Sequence, residues 1–339
     1  MVENTRLIME ETAMSLQLFT DSSANLPVET VLEKGIQVIP LTLNVDGEEI
    51  VCFDPEETYD AEALYERMRR DEKLVLKTSM INQTAFETAF EPYLEAGDDI
   101  LYIAMSSGIS GTYHAACTAA EALRERYPQR TIVAVDTKGA SLGEGFQALE
   151  AAQMRDQGMT AEEIQTYLQY RREEMRQHFM VDDLMFLKRG GRIRGGAAIA
   201  GTIIGLKPIM TANENGEIVL EKKIMGKKKA LATLAGMFEA EWENRPDCLS
   251  AGIAHGGCRE DAQTLASMIQ QAHPQIEFTI VCYEPGTGAH VGPGTVALFY
   301  WGNRGGVKRL SVIPGIRAKL ASEKENLHEK IEHVLKKDR

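Results

Sequence analysis

What the chain has little of narrows its function first. It has five cysteines in 339 residues, an odd number, and no two of them form a CxxC pair. Cys52, Cys117, Cys248, Cys258 and Cys282 are scattered, and Cys117, Cys248 and Cys282 lie in or beside apolar runs. Buried free thiols in a reducing cytoplasm are the expectation. No apolar run approaches the ~20 residues of a membrane-spanning helix. Met1–Ser15 is acidic, lacks the apolar core of a signal peptide and reads as a flexible leader. A dense basic stripe is missing and the formal net charge is −13, which disfavours nucleic acid and anionic membrane as partners. An anionic ligand would need local donors, because the overall field repels it.

Catalytic and cofactor patterns are missing too. There is no P-loop and no G-x-S-x-G elbow. Gly143-Glu144-Gly145-Phe146-Gln147-Ala148 matches G-x-G-x-x-A, but it lies several residues beyond a strand and lacks an acidic residue ~20 positions on, so it reads as a helix start. His328 and His333 stand at i and i+5, on different faces of a helix. No cofactor or metal site is expected.

What is present is the composition of a folded globular protein, 44% hydrophobic and 26% charged, long enough for roughly two domains. Leu16–Thr20, Ile36–Leu43, Leu74–Leu76, Ile100–Met105 and Thr131–Val135 read as strands. They alternate with helical segments at Asp60–Arg70, Gln83–Ala96, Tyr113–Tyr127, Gly145–Arg155 and Thr160–Gln177, the last opened by a Thr160/Glu163 capping box. This predicts an α/β fold with a mostly parallel sheet covered on both faces. Four strand ends carry hydroxyls or acids: Asp21-Ser22, Lys77-Thr78-Ser79, Ser106-Ser107-Gly108-Ile109-Ser110-Gly111-Thr112 and Asp136-Thr137-Lys138-Gly139-Ala140-Ser141. Ligands of open α/β sheets gather outside such ends. The Ser106–Thr112 stretch also places free N–H groups at a helix start, where a carboxylate or phosphate is the natural occupant.

The composition changes near Phe179. Lys188-Arg189-Gly190-Gly191-Arg192-Ile193-Arg194-Gly195-Gly196 is a dense cationic loop, followed by the uncharged Ala197–Leu206. Pro208–Thr211 and Glu217–Lys222 flank Asn215-Gly216, a hairpin signal. A helix at Lys227–Trp242 and the strands Leu249–His255 and Ile276–Tyr283 give this half its own α/β pattern with an antiparallel element. The glycine-rich stretch Gly286–Thr295 lets backbone approach a ligand and leads into the strand Val296–Tyr300. Lys319–Arg339 reads as a docked amphipathic helix. The expected division is 1–15 leader, 16–178 N-terminal α/β domain, 179–304 C-terminal α/β domain with a mixed sheet, and 305–339 helical extension.

The ordered set Phe19-Thr20-Asp21-Ser22, Thr78-Ser79, Ser106–Thr112, Phe186–Ile193, Lys207-Pro208-Ile209 and His290-Val291-Gly292-Pro293-Gly294-Thr295 resembles the DegV family of bacterial fatty-acid-binding proteins over about Leu16 to Gly302. The resemblance implies two α/β domains with one long-chain fatty acid between them. It implies a carrier, not an enzyme, that presents the carboxylate to a partner fatty acid kinase of the dihydroxyacetone-kinase-like type for acyl-phosphate formation in phospholipid metabolism. By position, Thr78, Ser79, Ser106, Ser107, His290 and Thr295 would bind the carboxylate. Arg192, with Arg189 and Arg194 beside it, would meet the kinase. Ala197–Leu206 and Val296–Tyr300 are candidate walls for the acyl chain. The alternative is a stand-alone serine-dependent acyl hydrolase, with Ser107 as nucleophile and His290 or His255 as base.

Overall fold

The computed structural model describes residues 15–56, 59–71, 73–193 and 204–303. The expected leader up to residue 14, Arg194, residues 197–203 and the extension 305–339 lie outside them. The described chain runs β1 (Leu16–Asp21), α1 (Val28–Glu33), β2 (Ile36–Ile39), β3 (Thr42–Val45), β4 (Glu48–Val51), α2 (Ala61–Arg70), β5 (Leu76–Ser79), α3 (Gln83–Ala96), β6 (Asp99–Ala104), α4 (Thr112–Arg126), β7 (Ile132–Asp136), α5 (Leu142–Asp156) and α6 (Ala161–Arg171). It continues with β8 (Met175–Met180), α7 (Met185–Arg189), β9 (Leu206–Ala212), β10 (Ile218–Met225), α8 (Lys227–Glu241), β11 (Ser250–His255), α9 (Arg259–Gln270), β12 (Glu277–Cys282), α10 (Pro285–Val291) and β13 (Val296–Trp301).

The first lobe is a parallel sheet in the order β2-β1-β6-β7, with a small antiparallel sheet β4-β3-β5 beside it. Successive residues of β1 point to opposite faces. Phe19 packs on Phe90 of α3 with ring centroids 4.9 Å apart, while Thr20 reaches Glu144 of α5. Helices therefore cover both faces, as the alternating pattern predicted. The second lobe is a six-stranded mixed sheet, β10-β9-β8-β13-β11-β12, in which β11 and β12 run parallel and the remaining pairs antiparallel.

Three sequence expectations change. The helix expected at Thr160–Gln177 starts with its capping box intact but ends at Arg171. Residues Met175–Met180 instead form β8, held between β9 and β13, so the second sheet begins before the expected division at 178/179. Thr78 and Ser79 are not a loop after a strand; they are the last residues of β5, paired with Leu43 and Thr42. The glycine-rich stretch is helical over Pro285–Val291, because Pro285 suits a first helical turn and the Glu284 carboxylate caps the free N–H groups of Gly286 and Thr287.

The strand end at Asp21 also departs from expectation: it is part of a buried acid network. Asp21 and Glu144 are both fully buried. Asp21 accepts from Tyr102 Oη at 2.6 Å and from the Ser23 and Met105 amides. Glu144 accepts from Thr20 Oγ1 at 2.9 Å and Ser23 Oγ at 2.5 Å. Burial raises both carboxyls above their ordinary range, Glu144 further because Asp21 is a like charge nearby. Groups raised on folding contribute stability that is complete below about pH 4, the unfolded value, and lost as pH rises through the folded one. Glu144→Gln is therefore expected to lose less stability than the parent between pH 5 and pH 8. Urea unfolding at the two pH values reads the difference. Equal pH dependence in the two proteins would contradict the assignment.

Candidate functional site

Between the lobes lies a cavity with about 900 Å³ of atom-free space, including its open mouth. Its floor is the face of the second-lobe sheet. Ile218 pairs with Ala212 and Phe299 with Gln177, and all four line the cavity together with Phe179, two residues on from Gln177 and so on the same face. The expected wall strand Val296–Tyr300 thus contributes through Phe299, and Gln177 is a polar position in an apolar row. Opposite, the ends of β6 and β7 bring Met105, Ser106 and residues 138–141. Met80, half exposed, stands at the cavity edge against Gly111, where an added Cβ would lie 2.7 Å from its sulfur.

The polar groups gather from both lobes. Thr78 Oγ1 of β5 lies 2.8 Å from His290 Nε2 of α10. His290 packs on the end of α7 so closely that a Cβ at Gly190 would fall 2.2 Å from its Nδ1, so only glycine fits there. Burial, and secondarily the Arg192 charge, lower His290 to about 4, leaving a neutral imidazole at pH 7. Arg192, expected to face a partner, lines the cavity instead, because its Nε donates to the Ile109 carbonyl across the lobe boundary at 3.2 Å and its Nη1 to the Gly190 carbonyl. Burial lowers its pKa, but a guanidinium stays charged in proteins. Among the described residues it has no acidic partner. Arg189 is exposed, with its guanidinium 5.8 Å from the Phe186 ring centroid.

Four of the six residues expected at the carboxylate line the cavity: Thr78, Ser79, Ser106 and His290. The Ser106 proton is already committed, since its Oγ donates to the Gly216 carbonyl at 2.8 Å. Gly216 (φ +72°) lies in the Asn215-Gly216 hairpin, and a Cβ there would sit 2.0 Å from Ser106 Oγ. The other two are turned elsewhere. Ser107 Oγ donates to Asp136 Oδ2 at 2.6 Å, and its amide to Oδ1, which pins it to the end of β7. Thr295 is fully buried and donates to the Val291 carbonyl at 2.8 Å, closing the end of α10. Neither His290 nor His255 hydrogen-bonds Ser107, so the nucleophile–base pair of the hydrolase alternative is not assembled.

Ser141 closes the polar stretch read after the Thr131–Val135 strand, but the sequence did not single it out for the carboxylate. It is fully buried at the start of α5, lines the cavity, and its Oγ has no partner among the described residues. Its φ of +53°, shared by Lys138, lies in a region side chains rarely adopt. No motif announces this backbone.

The family described as "uncharacterised protein, DegV family" matches residues 15–303. This chain belongs to the DegV family. A DegV domain-containing protein of Clostridium perfringens is 38% identical over 287 residues, covering 84% of this chain and 97% of its own length. A DegV-family protein from Thermus thermophilus, solved with regard to its fatty acid binding, aligns with a TM-score of 0.74 at 29% identity over 85% of this chain and 100% of its own. DegV of Bacillus subtilis, a fatty-acid-binding protein, aligns at 0.73 and 26% identity over 86% and 100%. Both lobes of the DegV fold are therefore present here. No described helix is long and apolar enough to cross a membrane.

In this DegV chain the His290 environment makes a direct prediction. NMR titration of its imidazole should give a pKa near 4, with no charging between pH 5 and 8. A value between 6 and 7 would contradict the desolvated site.

Proposed function

We propose that the chain is a carrier for a long-chain fatty acid. The carboxylate sits at the Thr78–His290–Arg192 group and the hydrocarbon runs against Phe179, Ala212, Ile218 and Phe299. The observation that carries this reading is Arg192: a cation in the wall of a mainly apolar cavity, without an acidic partner among the described residues, beside a hydroxyl–imidazole pair. A buried carboxylate is costly unless it is paired and hydrogen-bonded. The guanidinium supplies the countercharge. Neutral His290 can donate from Nε2 to Thr78 Oγ1, freeing the Thr78 proton for a carboxylate oxygen. Ser79 and the unpartnered Ser141 hydroxyl are further donors. Each CH₂ removed from water adds ~0.8 kcal/mol. The fatty acid binding of the Thermus and Bacillus relatives supports the same ligand class.

The chain does no chemistry on its ligand. It works in the cytoplasm and presents the carboxylate to a fatty acid kinase, which transfers a phosphoryl group onto a carboxylate oxygen. Exposed Lys188 and Arg189 on α7, one helix end from the site, are the docking cations. Ser107, tied to Asp136, and Thr295, tied to Val291, hold the loops around the ligand without touching it.

Mass spectrometry of lipid extracted from the purified protein should find a free long-chain fatty acid, and acyl-ester reporters should not be turned over. Thr78→Ala and Arg192→Leu should each weaken fatty acid binding by about 10- to 100-fold, as for a hydrogen bond to a charged group. Arg189→Ala should leave binding unchanged and slow phosphorylation by the kinase. Full retention in Arg192→Leu would overturn the carboxylate assignment, and unchanged phosphorylation in Arg189→Ala would overturn the docking assignment.

A further inference from the structure

Away from the cavity, a second group of side chains meets where the lobes join. His255 and Cys282 are the last residues of β11 and β12 and are register partners in that parallel pair, so their side chains leave the sheet on the same face. Glu62, in the first turn of α2, comes to them from the other lobe. One potential ligand atom of each of the three lies within 4.8 Å of the others.

The docking of α2 fixes this approach. Tyr65 Oη donates to the Tyr283 carbonyl at 3.3 Å, and Arg69 donates to the Gly256 carbonyl at 3.2 Å and to that of Gly257. Glu62, Tyr65 and Arg69 recur at helical spacing on one face. Gly257 (φ +60°) allows the contact, since a Cβ there would lie 2.7 Å from Tyr65 Cβ.

His255 is an independent pointer. It is fully buried. Nδ1 accepts from the Cys258 amide at a long 3.3 Å, while Nε2 is buried with no partner among the described residues. A buried polar atom without a partner is costly, and native structures leave few. Nothing in the fatty acid site uses this imidazole.

We propose that Glu62, His255 and Cys282 form a binding site for a divalent cation of the Zn²⁺ class that clamps α2 to the ends of β11 and β12. One thiolate, one imidazole and one carboxylate suit such a borderline-soft ion, with water in the fourth tetrahedral position. Binding exchanges the Cys282 thiol proton, released to solvent, for the metal–sulfur bond. Ligation through Nε2 places the ring hydrogen on Nδ1 and gives up the long contact from Cys258. Exposed Glu62 provides the entry path. The site is independent of the fatty acid reading, because no member of it lines that cavity.

The test is titration of the reduced, metal-stripped full-length protein with Co²⁺, a spectroscopic stand-in for Zn²⁺. One equivalent should produce a thiolate-to-cobalt charge-transfer band, which Zn²⁺ then displaces. Cys282→Ser should abolish the band, Glu62→Gln should weaken binding on the order of tenfold, and Cys258→Ser should leave it intact. Circular dichroism checks that the variants fold. Should Cys282→Ser fail to fold, the exposed-site variant Glu62→Gln decides. The absence of a band at equimolar metal, a band that survives in folded Cys282→Ser, or full affinity in Glu62→Gln overturns the proposal.

Discussion

A carboxylate buried between two lobes would have to find its countercharge and its donors there, and the contacts that join the lobes of this molecule are made by the groups that could supply them. Arg192 and His290 come from the second lobe, Thr78 and the Ile109 carbonyl from the first. The same contacts that would grip a head group already join the lobes: Arg192 to Ile109, Thr78 to His290, Gly216 to Ser106. In the proposed carrier, ligand grip and lobe closure are therefore one set of interactions, and weakening one weakens the other. The tight glycines at 190 and 216 mark where side chains had to be removed for that closure.

Charge is sorted around this constraint. The chain carries a net −13, yet its buried acids are kept away from the cavity wall. Asp21 and Glu144 are enclosed with Thr20, Ser23 and Tyr102 behind the end of β1, and burial favours their neutral forms. Asp136 is occupied by Ser107. The result is a locally cationic cavity in an anionic protein, which suits the proposed ligand, with one negative end and a long apolar remainder.

Much of the frame was legible in local patterns. The strand–turn–helix at Ser106–Thr112, the Thr160/Glu163 capping box and the Asn215-Gly216 hairpin are short-range features whose physics is contained in a few neighbouring residues. The polar pole was legible in outline, since Thr78, Ser79, Ser106 and His290 do reach the cavity. What was not legible depends on partners distant in sequence. Ser106 and Ser107 are adjacent, and only the position of Asp136 decides that one faces the cavity and the other does not. Thr295 is taken by Val291 because Pro285 and Glu284 start a helix where glycines suggested a loop. Residues 175–177 continue a helical pattern, but pairing with β13 outweighs local propensity. Arg192 read as a partner-facing cation because nothing nearby in the chain announces that α7 ends against α10. Ser141 depends on a left-handed backbone that no residue type at that position signals.

The central claim is that an ionised carboxylate is sequestered beside Arg192 and the Thr78–His290 pair. The most direct measurement is ¹³C NMR of a carboxyl-labelled long-chain fatty acid bound to the protein, followed as the pH is lowered. The account predicts a single bound carboxyl resonance that stays at the ionised position well below the pH at which an exposed carboxyl protonates, because the guanidinium and hydroxyl donors favour the charged form. A resonance that titrates like the free acid in water would contradict it.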